Sequence, residues 1–214
     1  MNRPLFTALA CLISVSVFGQ GWIQVGNDID GYEDSYGGEV ELNGQGTILA
    51  VGGSKFDNYK GIVRVYENIN DEWIQLGQDI LGPDGYPGNT MFGLSISLNN
   101  EGNILAIGAP SPGFGLSLGG LVQVYKYISG NWIQIGEDIN SDMPVEYCGV
   151  VVDLNDTGDV IAISSRQYGY GYEASNMSEE NPSNGGQGRV RVFQNINDNW
   201  LQLGASIVGQ TNGA

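Results

Sequence analysis

The chain has 214 residues, of which 34 are glycine and none is histidine, and its 24 acidic and 8 basic residues leave a formal charge of -16. An acidic surface of this kind repels phosphate backbones and anionic headgroups, so nucleic acid is excluded as a partner. The absence of histidine removes Ser-His-Asp, Cys-His and histidine-based zinc chemistry together, and abundant glycine without a helical period favours short strands and turns.

Residues 1–19 carry Arg3, an apolar stretch from Leu5 to Val17 and small residues at Val17 and Gly19. This is the layout of a secretory signal peptide cleaved after Gly19, with an apolar core too short for a membrane span. A secreted, extracellular or cell-surface protein with no membrane insertion after signal removal is expected. Cys148 is then the sole cysteine, so no internal disulfide can form, and a small buried core residue is the expected role.

Next comes Trp22-Ile23-Gln24-Val25-Gly26, a motif that returns at Trp73, Trp132 and Trp200 with spacings of 51, 59 and 68 residues. Two further elements recur between these copies. The first is an alternating strand, an Asn-x-x-Gly turn and a second apolar strand, as in Phe92 to Pro110. The second is a Gly-x-Val-x-Val strand beginning at Gly61, Gly120 and Gly188. Each full repeat therefore contains four strands, a to d, and the conserved tryptophan position on strand d is expected to pack between repeats.

The link from strand c to strand d is constant in length, and the turn from a to b always has four residues, Asn43 to Gly46, Asn99 to Gly102 and Asn155 to Gly158. All growth falls in the links from b to c and from d to a. In an antiparallel meander these share one end of the sheet, so one end should be invariant and the other variable, and the variable end is where recognition is expected. A period of about 50 residues with four strands is a propeller-blade pattern. The expected fold is all-β, a β-propeller of four-stranded antiparallel blades at about 36–77, 92–136 and 148–204, with an extra outer strand at 22–26. Three blades cannot close a ring, so the chain is expected to be the N-terminal part of a longer propeller, with further blades or self-association completing it.

Phe92-Gly93 and Gly108-Ala109-Pro110 at the two ends of the middle unit resemble the FG-GAP repeat of integrin-α-type propellers and their bacterial relatives. The resemblance covers residues 22 to 204 and implies a propeller used in adhesion. Tyr36-Gly37 and Cys148-Gly149 replace Phe-Gly in the flanking copies. Calcium-binding members carry an Asp-rich loop between strands a and b, and here that loop is a four-residue turn, so their calcium site does not carry over.

Asp28, Asp30, Glu33 and Asp34 are spaced like a divalent-ion loop, but Asp28 aligns with Asp79 and Asp138, which gives it a repeated structural role. The cluster is the one candidate for calcium, and no cofactor is expected. Tyr168, Tyr170 and Tyr172, separated by glycines in the longest link, are adaptable contact groups and the candidate binding residues. The expected function is a non-catalytic secreted or cell-surface binding or adhesion module for an extracellular protein or carbohydrate, not an enzyme. The alternatives are the propeller portion of a secreted carbohydrate-active enzyme and a purely structural repeat array.

Overall fold

The computed structural model describes residues 21–31, 38–84, 90–110, 119–142, 146–166 and 188–209. The signal peptide expected at 1–19, Glu33, Asp34 and the three tyrosines at 168, 170 and 172 lie outside the described residues. Among those described, no helix is long and apolar enough to cross a membrane.

The fold is an all-β, propeller-like array of three antiparallel blades. The first holds β1 (Val40–Leu42), β2 (Ile48–Gly53), β3 (Ile62–Ile69), β4 (Glu72–Gln75) and β5 (Ile80–Leu81). The second holds β6 (Ser95–Leu98), β7 (Ile104–Ala109), β8 (Leu121–Ile128), β9 (Asn131–Gln134) and β10 (Ile139–Asn140). The third holds β11 (Cys148–Leu154), β12 (Val160–Ser165), β13 (Arg189–Ile196), β14 (Asn199–Gln202) and β15 (Ile207–Val208). Each blade runs a, b, c, d across the sheet as the repeat predicts.

Two details differ from the sequence reading. The long strand c is paired along one edge by two short pieces, strand d and then a two-residue segment after it: β4 lies against the later half of β3 and β5 against its start. The Gly77 to Asp79 step bulges between them, with Gly77 at φ 81°. The second correction concerns Trp22 to Gly26, which has the sequence of an outer strand but pairs with no strand among the described residues.

Local chemistry explains the hairpins. Asn43 Oδ1 accepts from the backbone N–H groups of Thr47 and Ile48, and Asn99 Oδ1 does the same for Asn103 and Ile104. The side chain thereby closes the a to b turn, which Gly46 and Gly102 complete in the left-handed region. Between c and d, Asn70-Asp71, Ser129-Gly130 and Asn197-Asp198 all carry positive φ at both positions. Two such residues define a type I′ turn, whose twist suits a two-residue hairpin, and this is why that link never changes length.

Blades pack face to face through two apolar clusters. One joins Ala50, Val63 and Val65 of the first blade to Phe92, Ile96, Leu105, Ile107 and Trp132 of the second. The other joins Ala106, Val122 and Val124 to Cys148, Val152, Ile161, Ile163 and Phe193. A central blade buried on both faces explains why β7 is apolar throughout instead of alternating.

Candidate functional site

The two ends of the blades are built differently. At one end the a to b turns of successive blades are bonded to each other: Gly44 N–H donates to Asn100 O at 3.2 Å and Asn100 N–H to Asp156 O at 3.1 Å. This is the invariant end. At the other, the start of each strand c meets the start of the next blade's strand a, through the parallel bridges Gly61 with Phe92 and Gly120 with Cys148. The described starts of strands c and a, where the variable links end, therefore lie at one end of the blades.

In the first blade the b to c link contains one turn, Phe56–Tyr59, with left-handed backbone at Asp57 and Asn58. Lys60 follows it and pairs with Asp84 of the next link at 2.6 Å. The hydrogen bond from Lys60, more than its charge alone, holds the exposed Asp84 carboxyl below its ordinary range. Thr90 Oγ donates to Lys60 O at 2.7 Å and ties the two links together.

Between the second and third blades the same end carries an ionic cluster. Arg189 bonds Glu146, which is fully buried, and also Asp142, which is exposed. Its Nη2 reaches Glu146 Oε2 at 2.7 Å and its Nη1 reaches Asp142 Oδ2 at 3.2 Å. Ser141 Oγ donates to the same Glu146 oxygen. Burial first, then repulsion from Arg191, lowers the pKa of Arg189. Arg191 is buried and donates to Asn140 O at 3.0 Å and Cys148 Sγ at 3.1 Å. Burial pushes the Cys148 thiol up, with Arg191 opposing in part, so the group stays a neutral core thiol.

On the strands a, Glu41 of the first blade, Ser97 of the second and Asp153 of the third hold the same register position. Glu41 is held above the ordinary carboxyl range by burial first, then by the Asp153 and Glu39 carboxylates.

The sequence reading anticipated Cys148 as a core residue and missed its arginine neighbour. It also missed Arg189 and Glu146, although the repeat contained the signal: position 189 aligns with Ile62 and Leu121, where an arginine is the odd member. Asp28 accepts from Gln24 Nε2 at 2.8 Å, as Asp79 accepts from Gln75 and Asp138 from Gln134. It therefore has the repeated structural contact its alignment suggests, and Asp30 is exposed. Among the described residues no group of three His, Cys, Asp or Glu side chains is placed to hold a metal ion.

No family model matches the chain, and no curated protein matches it. Among solved structures, it is similar to a protein from Bacteroides fragilis NCTC 9343 described as a 6-phosphogluconolactonase, with a TM-score of 0.52 and 12% identity. The match covers 83% of this chain and 40% of that one, so the chain spans less than half of that relative's length. At this identity the likeness shows the fold. It also corrects one expectation. The chain was read as not being an enzyme, yet the solved protein that shares its fold carries an enzyme's name, so the fold gives no ground for setting catalysis aside.

Proposed function

We propose that the chain is part of a secreted or cell-surface propeller of FG-GAP type that recognises an extracellular protein or carbohydrate through the variable ends of its blades. The observation that carries this is the contrast between ends: repeated turn-to-turn hydrogen bonds at one, and links of differing length and chemistry at the other. Rigid scaffolding beneath variable loops is the arrangement in which recognition is usually found. A glycan array on the intact protein, repeated with the 166–187 link replaced by the shorter 54–60 link, tests it. Binding that the exchange abolishes without lowering the melting temperature supports the reading, and retained binding removes that link from the site.

A second reading is favoured by the name of the structural relative. On it, the same end forms part of a catalytic site that acts on a sugar derivative. Acid release from 6-phosphogluconolactone, followed at constant pH, checks this directly; a rate no greater than that of buffer removes that substrate.

A further inference from the structure

The corner of the third blade beside Cys148 departs from the repeat at several positions at once. Where the second blade places Phe92, Ala109 and Leu121, the third places Cys148, Ser165 and Arg189. These three form one cross-strand row, with Cys148 opposite Ser165 and Ser165 opposite Arg189. Arg191 stands two residues along β13, on the same face. An apolar corner has become a polar one inside a blade contact.

Arg191 has also lost the carboxylate that its position in the repeat meets elsewhere. Arg64 pairs with Asp79 at 2.7 Å and Gln123 with Asp138 at 2.9 Å, but the aligned residue in the third blade is Ser206. Glu146, the buried acid nearby, gives both of its oxygens to Arg189. Among the described residues no carboxylate pairs with Arg191, and its Nη2 bonds end on a carbonyl and a thiol. The guanidinium is nonetheless only 4% exposed and lies over the Phe193 ring, 5.2 Å from its centroid. A full charge held there without a counter-charge is strongly unfavourable.

Two donors in this corner are unused. Arg191 Nε and the Ser165 hydroxyl are both buried and have no hydrogen-bond partner. Both belong to groups that border Cys148 Sγ: Arg191 Nη2 bonds it, and the Ser165 oxygen is near enough to act on the thiol, though less than burial and Arg191 do. We propose that Arg191 Nε and Ser165 Oγ hold a small inorganic anion, chloride, which supplies the charge that Asp79 and Asp138 supply in the other two blades. A water molecule would satisfy the two donors but leave the cation unbalanced. A polyatomic oxyanion such as sulfate does not suit two groups that are each 4% exposed.

Thermal melts of the full chain, with sodium gluconate replaced stepwise by sodium chloride at constant ionic strength, test the proposal. The expected result is a saturable rise in melting temperature of at least about 3 °C, reproduced by bromide and not by sulfate. Ser165→Ala, which copies Ala109 and keeps the cation, should raise the half-saturating chloride concentration about tenfold. Arg191→Gln, which copies Gln123, should abolish the dependence. Should that variant fail to fold, Ser165→Ala decides together with anomalous diffraction from crystals grown in bromide, where a peak is expected at hydrogen-bond distance from Arg191 Nε and Ser165 Oγ. A melting temperature that is the same in chloride and gluconate overturns the proposal. So does a chloride-dependent rise that both variants retain unchanged, or a bromide map with water at this position.

Discussion

The indole Nε1 of Trp132 donates to the Leu76 carbonyl of the preceding blade at 2.9 Å. The ring is nearly buried and lies against Tyr127, with centroids 5.3 Å apart. One side chain thus joins packing and hydrogen bonding across the blade boundary. Trp132→Phe should cost about 1 kcal/mol for the lost bond, and Trp132→Ala roughly 3–5 kcal/mol. Trp73→Phe should cost less, since its acceptor Val25 belongs to a segment without a strand partner. Urea unfolding of the three variants checks the order.

Gly108 faces Gly149 so closely that a Cβ would overlap its backbone oxygen and the Ser95 hydroxyl. Gly108→Ala should therefore destabilise by about 1–3 kcal/mol or more, since the obstacle is backbone and cannot rotate away. Ser164→Gly, at the aligned position of the third blade, should change stability by no more than the entropy of a glycine, about 0.5–1 kcal/mol. Calorimetry on the pair separates close approach from ordinary glycine effects.

Removing Arg189 alone leaves Glu146 charged and buried. Arg189→Leu should cost about 3–5 kcal/mol. Adding Glu146→Thr copies the Thr90 and Leu121 pair that the preceding repeat uses, and should recover most of that loss. If the double variant is as unstable as the single, the cluster has a role beyond local charge balance.

Two carboxyl groups give opposite pH trends. Glu41 has a raised pKa in the folded chain, so its contribution is fully present below the ordinary glutamate range and is lost as pH rises through the folded value. Glu41→Gln should then stabilise the protein at neutral pH and little at pH 3. Asp79 has a lowered pKa, chiefly from its hydrogen bond with Arg64, so its contribution is present above the ordinary aspartate range and lost as pH falls. Asp79→Asn should destabilise at pH 7 and have less effect under strong acid. Thermal melts across pH 3 to 8 test both signs.

Blade number, strand order and the separation of fixed from variable links were legible because the repeat displays them three times. A period-2 pattern, the Asn-x-x-Gly turn and the spaced tryptophans each report on short-range geometry. What the sequence concealed depends on neighbours far away in the chain. The two-residue strands β5, β10 and β15 are too short for a period to show. Trp22 to Gly26 shares its tryptophan, glutamine and glycine with its siblings and differs from them only in aliphatic type, yet a strand needs a partner, and pairing is not a property of the segment alone. The Arg189 and Glu146 contact spans 43 residues and joins two departures from the repeat that look unrelated until folded together.

The chain of turn contacts from Gly44 through Asn100 to Asp156 makes the invariant end behave like the spine of a book. Blade spacing is held along that line through backbone groups, and also by the apolar clusters and by the Gly61–Phe92 and Gly120–Cys148 bridges. Lengthening a link at the opposite end therefore adds pages' edge without shifting the binding: the 166–187 stretch can be exchanged, shortened or diversified while the angle between neighbouring blades stays where the turns put it. A library randomised only in those links would sample new surfaces on an unchanged frame.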